Sequence, residues 1–191
     1  MGREFELKYR ATPEQIAAVR AQFGEFSAIA METTYYDTPE GAFSHLRWTL
    51  RRRMENGRSV CTLKTPLPDG SRGEWETEMD SIEDAIPELC KLGASRKLLL
   101  LTAGGIAPSC GAKFTRLART LTPEGCTVEL ALDQGVLLGG GKELPFAEIE
   151  VELKAGREEA AVAFARTLAE TFGLIPEPKS KVRRAQELAA K

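Results

Sequence analysis

The sequence predicts an α+β protein built on an antiparallel β-sheet with helices packed on its outer side. Most of the chain alternates polar and apolar residues with the period of two that is typical of strands, and a few segments have helical period. Turn signals such as Asn56-Gly57 separate the alternating segments and are typical of hairpins, which join antiparallel strands. The length of 191 residues suits one domain, which we expect to cover residues 1–191.

The first elements follow one another closely along the chain. Residues 3–11 alternate charged and apolar side chains and predict the first strand. The tetrapeptide Thr12-Pro13-Glu14-Gln15 predicts a helix start, because it combines a threonine cap, a proline in the first turn and a capping box. Gly24 predicts the end of this helix, and the β-branched and aromatic residues of 27–37 predict a second strand.

The remaining elements are mainly strands. Alternation bounded by turn residues predicts strands over 46–55, 58–66, 72–80, 112–121, 126–133 and 144–154. Helical signals predict helices beginning at Ser81, over 94–103, over 157–172 and from about residue 181. The many hairpins and few helices favour the α+β class.

The chain is nearly neutral overall. Its 26 lysines and arginines oppose 28 aspartates and glutamates, and this balance argues against binding nucleic acids or membranes through bulk electrostatics. The longest apolar run, around 98–101, is far too short to cross a bilayer. We therefore expect no nucleic-acid or membrane partner. The four cysteines lack a CxxC spacing and the N-terminus does not resemble a secretion signal, so we expect a cytoplasmic protein with reduced thiols.

Several predicted strands carry their charges on one face, because side chains two residues apart point to the same side. These sets are Glu4, Glu6 and Lys8; Arg51 and Arg53; Arg72, Glu74 and Glu76; Glu129 and Asp133; and Glu148, Glu150 and Glu152. The solvated face of a half-buried sheet would explain any one of them. As a group they are sorted by sign, whereas a surface that is merely soluble usually mixes both signs.

Like charges about 7 Å apart along a strand repel each other unless a charge of opposite sign lies between them. A metal ion would satisfy the carboxylates, and an anion would satisfy the arginines. Together they indicate a polyphosphate or nucleoside triphosphate with Mg²⁺ or Mn²⁺. The chain has no P-loop and no GxGxxG motif, so side chains of the sheet must hold the phosphates. A sheet offers an enclosed charged site if it closes into a tunnel.

The charged segments resemble, in order, the motifs of the CYTH family, also called triphosphate tunnel metalloenzymes, which includes class IV adenylyl cyclases and thiamine triphosphatases. The segment 4–8 is similar to the family's ExExK motif, 35–38 to YYDT, 50–53 to LRxR, 63–64 to its strand lysine, 72–76 to RxExE, 128–133 to its acidic strand, 146–152 to FxEiExE, and Ser180-Lys181 with Arg184 to SKxxR. Arg116 fits a later single arginine of the family, with Arg119 as a rival. The resemblance spans residues 4–184.

This resemblance implies a closed antiparallel tunnel of about eight strands whose lumen is lined by the charged residues. Most members of the family hydrolyse triphosphates, a few bacterial members are adenylyl cyclases, and both activities use Mg²⁺ or Mn²⁺. By hypothesis, the metal ligands are Glu4, Glu6, Glu148, Glu150 and Glu152. The substrate-binding residues are Lys8, Arg51, Arg53, Lys64, Arg72, Arg116, Lys181 and Tyr36.

Four of these residues, Glu4, Glu6, Lys8 and Lys64, are the candidates for direct catalysis. Glu74 and Glu76 would orient the basic residues or bind metal, and Asp133 would support other ligands. For Tyr36, donation to a phosphate or to a lysine competes with plain packing on the strand.

Several functions are compatible with these residues. We favour a metal-dependent triphosphatase that acts on inorganic tripolyphosphate or a similar small triphosphate. An adenylyl cyclase would use the same charges, with a ribose hydroxyl instead of water as nucleophile. A thiamine triphosphatase would also fit these residues, and so would a non-catalytic module that binds polyphosphate or nucleotide.

Overall fold

The computed structural model describes residues 2–68 and 70–190. Within these ranges ten strands form one antiparallel sheet, which agrees with the predicted α+β class. The strands are β1 (Gly2–Glu4), β2 (Glu6–Arg10), β3 (Ser27–Asp37), β4 (Thr49–Glu55), β5 (Arg58–Pro66), β6 (Arg72–Glu78), β7 (Ala107–Leu121), β8 (Cys126–Gly139), β9 (Lys142–Gly156) and β10 (Ile175–Pro176). The helices are α1 (Pro13–Phe23), α2 (Ala42–Leu46), α3 (Ile82–Lys91), α4 (Lys97–Thr102), α5 (Glu158–Phe172) and α6 (Lys181–Ala189).

The strand order is β1-β6-β5-β4-β3-β7-β8-β9-β2-β10. The predicted first strand is therefore divided at Phe5: the part before it pairs with β6, and the part after it pairs with β9. In the described ranges the two ends of the sheet share no hydrogen-bonded ladder. The ring is closed by the chain itself, which passes from β1 to β2. The arrangement is tunnel-like, as expected, but it has ten strands rather than about eight, and within the described ranges its ends are joined by the chain rather than by hydrogen bonds.

The outer face of the sheet is apolar and is covered by helices in two places. One core packs α1 and α5 against β2, β8 and β9, around buried residues such as Val19, Leu130 and Ile149. The other packs α2, α3 and α4 against β4, β5 and β6, around Phe43, Leu63 and others. Because both cores lie on the outer face, the alternating side chains of the same strands point into the ring.

Helix α6 does not follow the prediction that the helices pack on the outer side. Its Ala185 is buried in a cluster with Phe114 and Phe146, whose side chains share the inward face of β7 and β9 with Arg116 and Glu150. The helix therefore contacts the inner face of the sheet. An amphipathic pattern predicts that a helix has a buried side, but it does not indicate which surface that side covers.

Local signals at the other helices agree with the structure. Thr12 and Gln15 form the capping box of α1, and Gly24 ends it. The short α2 was not predicted, because five residues are too few to show a helical period. Its first amides are held by Asp37, whose carboxylate accepts from the amide of Phe43 at 2.8 Å. Within the described residues, each helix falls short of the length or apolar character needed to cross a bilayer.

We expect Gly135→Ala to destabilise the fold, because strand β7 approaches β8 too closely at this point for a side chain. A Cβ atom on Gly135 would collide with the carbonyl oxygen of Lys113 and lie 2.5 Å from Cα of Phe114. Backbone atoms of a paired strand cannot move away cheaply, so the free energy of unfolding should fall by about 2–4 kcal/mol. Urea denaturation followed by circular dichroism measures this change.

The matched control is Gly104→Ala, where a Cβ atom would meet no other atom within 4 Å. This variant should change the free energy of unfolding by no more than about 0.5 kcal/mol. Equal stability of the two variants would contradict the close approach at Gly135.

Candidate active site

The inner face of the sheet encloses a cavity of about 350 Å³ that is lined mostly by charged side chains. The basic residues that line it are Lys8, Arg51, Arg53, Lys64, Arg72, Arg116, Lys154 and Lys181. The acidic residues are Glu4, Glu6, Glu55, Glu74, Glu76, Glu129, Glu150 and Glu152. The structure thus brings together nearly all residues of the predicted site, from seven strands and α6. Their catalytic and binding roles stay predictions.

Tyr36 does not line this cavity, so of the two roles considered for it the structure agrees with packing on the strand and not with substrate binding. Its side chain packs on the outer face against the core beneath α2 and α3. The preceding residue, Tyr35, is opposite Arg51 in the register of β3 and β4 and lines the cavity instead. Two adjacent tyrosines look alike in sequence, and only the strand register shows which of them points inward.

The rival arginines of β7 are separated by their orientation. Arg116 lies opposite Asp133 on β8 and faces the cavity. Arg119, three residues further on, points to the other side and donates to the backbone carbonyls of Phe23 and Glu25 after α1. Arg116 therefore belongs to the cavity, whereas Arg119 holds the end of α1 and the residues that follow it.

Basic side chains of β4 are buried in the cavity with little compensating negative charge. The guanidinium of Arg53 donates to the hydroxyl of Thr33 at 2.9 Å, and its nearest carboxylate, that of Glu55, lies 3.8 Å away. Burial and the neighbouring charge of Arg51 lower the pKa of Arg53 to about 10. Nε of Arg51 is itself buried without a hydrogen-bond partner among the described residues. The positive charges of these two arginines are therefore only partly compensated by the nearby carboxylates.

The acidic side chains near the junction of β1 and β2 show the opposite imbalance. Burial, together with the nearby carboxylates of Glu150 and Glu4, raises the pKa of Glu6 to about 7. Its ion-pair partner, Lys8, lies 3.5 Å away. Burial also raises the pKa of Glu152, although Lys154 contacts its carboxylate at 2.8 Å. A cation near these carboxylates would be stabilised by their excess negative charge.

A compact ionic network lies at the base of α6. The ammonium group of Lys181 is 2.7 Å from Asp133 and 2.8 Å from Glu150, and it also contacts Glu148. These three carboxylates hold the pKa of Lys181 above its ordinary value in spite of burial, which alone would lower it. Arg116 binds Asp133 through both Nε and a terminal nitrogen, at 2.8 and 2.7 Å. In this network each acidic group has a basic partner.

Asp133 and Glu148 are fully buried in this network and do not line the cavity. Glu148 also binds Arg184, the last residue of the motif at 180–184, which makes Arg184 a part of the site that we did not predict. Ser180 caps α6 by accepting from the amide of Arg183 at 3.3 Å, and this cap places Lys181 at the start of the helix.

Other cavity residues also lay outside the predicted site. They are Ile29, Met31, Tyr35, Thr49, Glu55, Glu129, Lys154, Ser180 and Val182. For three of them the signal is plain, since Thr49 and Glu55 share a face with Arg51, and Lys154 shares one with Glu152. Strand alternation alone places these three on the cavity face.

The donor set suits a divalent ion such as Mg²⁺ or Mn²⁺, which prefers carboxylate oxygens. Asp133, Glu148 and Glu150 have oxygens within 4.8 Å of one another, close enough to share an ion. However, the ammonium of Lys181 lies against all three of these carboxylates. Glu6 and Glu152 are less compensated and face each other in the register of β2 and β9.

Comparisons with known proteins agree with this architecture. The chain is 28% identical over 198 aligned residues to the inorganic triphosphatase of Haemophilus influenzae, and the match covers 100% of this chain and 56% of that protein. The chain thus spans about half the length of this curated relative.

Solved structures share the fold at low sequence identity. A putative adenylyl cyclase from Hippeastrum, described as having a dominant triphosphatase activity, superposes with a TM-score of 0.67 at 19% identity, over 96% of this chain and 95% of the other. A protein of Pyrococcus horikoshii gives a TM-score of 0.65 at 24% identity, over 97% and 99% of the two chains. The profile of the CYTH domain matches residues 2–185, and this chain belongs to the CYTH domain family.

Proposed function

We propose that this chain is a single-domain, metal-dependent hydrolase of inorganic tripolyphosphate or a similar small triphosphate. The observation that carries the proposal is the double imbalance of charge in one cavity. The buried arginines of β4 have their nearest carboxylates 3.8 Å away, and the pKa of buried Glu6 is raised although Lys8 lies 3.5 Å from it. A metal–triphosphate complex supplies both charges in one ligand.

The need for an anion is clearest at the arginines of β4. Burying a guanidinium is unfavourable unless a negative group compensates for the lost water. Here Arg51 and Arg53 share one wall, and their nearest carboxylates are both 3.8 Å away, at Glu74 and Glu55. Phosphate oxygens would accept from the fixed fork of each guanidinium. This arrangement supports a substrate with several phosphoryl groups.

Two other basic residues, Arg72 and Lys64, are held in place by neighbouring side chains. Arg72 donates to the hydroxyl of Thr49 at 3.0 Å, a neutral partner. Lys64 lies 3.3 Å from Glu74, whose pKa stays low in spite of burial because Lys64 and Arg51 are close. These contacts support a role for Glu74 in orienting the two cations. Donors held in place before the substrate arrives stabilise developing negative charge on the phosphoryl oxygens.

Glu4, Glu6 and Glu152 are the residues that we propose to hold the metal ion. All three line the cavity, and Glu6 lies opposite Glu152 in the sheet. When bound there, a divalent ion would neutralise phosphate oxygens and lower the pKa of a water molecule. Glu148 and Glu150, which we also predicted as ligands, would instead fix Lys181 and Arg116 through the network at the base of α6.

The proposed reaction agrees with the names of related proteins. The Haemophilus relative is called an inorganic triphosphatase, and the Hippeastrum structure is described as predominantly a triphosphatase. Because the chain covers 56% of the former and is 19% identical to the latter, the activity of this chain remains our proposal.

We expect the purified protein to release phosphate from tripolyphosphate with Mg²⁺ or Mn²⁺ and to stop when the metal is removed with EDTA. Thiamine triphosphate and ATP are assayed in parallel, together with cyclic AMP formation from ATP. Dominant cyclic AMP production would favour the cyclase instead. Tight polyphosphate binding without turnover would favour a binding module.

Replacing Glu6 should remove metal-dependent turnover. We expect Glu6→Gln to lower kcat roughly 100-fold or more, because loss of a metal ligand removes charge stabilisation from the transition state. The matched control is Glu78→Gln, at the exposed end of β6 and outside the cavity, where Glu78 pairs with the exposed Arg58. Near-normal activity of Glu6→Gln in the phosphate-release assay would contradict the metal assignment.

The two sets of carboxylates should respond differently to metal concentration. We expect Glu152→Gln to raise the Mn²⁺ concentration for half-maximal activity about tenfold or more. Glu148→Gln should leave this concentration nearly unchanged, because Lys181 and Arg184 already neutralise Glu148. A metal titration of phosphate release at saturating tripolyphosphate measures both. The reverse order would place the ion in the network at the base of α6.

The raised pKa of Glu6 also makes a prediction for metal-free stability. In the folded protein Glu6 binds its proton up to about pH 7, against an ordinary value of 4.5. The stabilisation from this proton is therefore present below pH 4.5 and is lost as the pH rises through 7. In EDTA, Glu6→Gln should raise the free energy of unfolding at pH 8 by about 1–3 kcal/mol relative to the wild type.

Thermal denaturation at pH 5 and pH 8 checks this difference. The advantage of the variant should shrink at pH 5, where wild-type Glu6 is mostly protonated. An advantage that does not depend on pH would mean that Glu6 is not destabilised by its charge.

A further inference from the structure

We propose that Phe114 is a positioning residue, whose aromatic ring holds the guanidinium of Arg53 ready for phosphate without neutralising its charge. The inference rests on the proposed function, since Arg53 is one of the residues that we propose to bind the triphosphate. It adds that an uncharged ring, rather than a carboxylate, keeps this arginine in place before the substrate arrives.

Arg53 and Phe114 are brought together by the strand between them. In the register of the sheet, Arg53 of β4 lies opposite Thr33 of β3, and Thr33 lies opposite Ala112 of β7. Phe114 follows Ala112 by two positions, so it points to the same inner face. The side chain of Arg53 reaches across β3. Its Nε donates to the hydroxyl of Thr33 at 2.9 Å, and its Cζ lies 5.7 Å from the centre of the Phe114 ring.

The ring of Phe114 can attract this cation because the face of an aromatic ring carries partial negative charge. The attraction is larger where water is excluded, and both side chains are buried. A ring face has no lone pair that would occupy an N–H donor of the guanidinium. Unlike a carboxylate, it therefore stabilises the buried charge without competing with phosphate oxygens.

A competing partner for Arg53 stands on its own strand. Glu55 points to the same face of β4, and its carboxylate lies 3.8 Å from the guanidinium. Without the attraction of the ring, Arg53 would move onto Glu55 and give up its bond to Thr33. The substrate would then have to break an ion pair before it could bind. The ring thus favours the conformer of Arg53 that is open to phosphate.

Phe146 provides a comparison within the same site. Its ring packs against that of Phe114, with centroids 5.7 Å apart and an angle of 68° between the ring planes. The two cations over it, Lys181 and Arg184, lie 5.5 Å from its centroid. Both are bound by the carboxylate of Glu148. These cations keep their positions through ion pairs, so the ring of Phe146 is not needed to hold them.

The experiment replaces Phe114 with mono-, di- and trifluorophenylalanine by nonsense suppression. Fluorine withdraws electrons and removes the negative charge of the ring face step by step, while the ring stays apolar and nearly the same size. We expect kcat/KM for phosphate release from tripolyphosphate to fall in steps, to about one tenth with the trifluoro ring. The same series at Phe146, the matched control, should lower it by less than about twofold.

A second readout, in the substrate-free protein, does not depend on turnover. The Nε–H proton of Arg53, which donates to Thr33, is followed by NMR and assigned through its loss in Arg53→Lys. We expect its exchange with water to become about tenfold faster when Phe114 carries the trifluoro ring, because Arg53 then leaves Thr33 for Glu55. The series at Phe146 should change this exchange little.

Removing the competing carboxylate should rescue the defect. In Glu55→Gln the anion that draws Arg53 away is gone, so the trifluoro ring at Phe114 should lower kcat/KM by less than about threefold relative to Glu55→Gln alone. A ring that acts only through packing would not depend on the charge of Glu55, since fluorination leaves the packing almost unchanged.

The inference is overturned if neither kcat/KM nor the exchange of the Arg53 proton follows the number of fluorines at Phe114. Equal effects at Phe146, or a defect that persists in full in Glu55→Gln, would also overturn it. In each case phosphate release from tripolyphosphate by the wild type would leave the proposed function standing. Faster exchange of the Arg53 proton in the Phe114 series, with no turnover by the wild type, would instead contradict the proposed function alone.

Discussion

The whole molecule depends on placing many charges of both signs inside a closed sheet. Apolar residues on the outer face of the strands are buried under helices, so the alternating charged residues have to point into the ring. Charges removed from water are tolerated only when each finds a partner of opposite sign. The inner network around Lys181 satisfies this condition with residues of the chain alone. The wall around Arg53 and the carboxylate of Glu6 do not, and this difference distinguishes the framework of the site from the part that we propose takes a ligand.

Strand alternation accounts for most of what could be predicted. Because a strand has a strict period of two, the charged sets of the first strand, of β4 and of β6 could be assigned to one face from sequence. The choice between Tyr35 and Tyr36 was harder, since both have the same chemistry and only the pairing of β3 with β4 decides it. The change of partner at Phe5 was invisible, because the alternation continues through it without interruption.

Contacts between residues far apart in the chain could not be predicted from the sequence either. The three alternating glutamates at positions 148–152 of β9 look equivalent, and nothing local shows that Lys181, 31 residues beyond Glu150, neutralises one end of this row. Their separation into Glu152, which faces the cavity, and Glu148, which is buried under α6, is a tertiary effect. It matters for the chemistry, because one strand thereby contributes both to the framework and to the proposed metal site.

The position of helix α6 depends on the pairing of β8 with β9. The strands β8 and β9 form a hairpin through Gly140 and Gly141, both in the left-handed conformation suited to such turns, and local hairpins form quickly. Lys181 loses its water only where Asp133 and the glutamates of β9 already stand side by side; any earlier, its desolvation would be uncompensated. The docking of α6 therefore requires that β8 and β9 are paired, because their carboxylates together compensate the buried charge of Lys181.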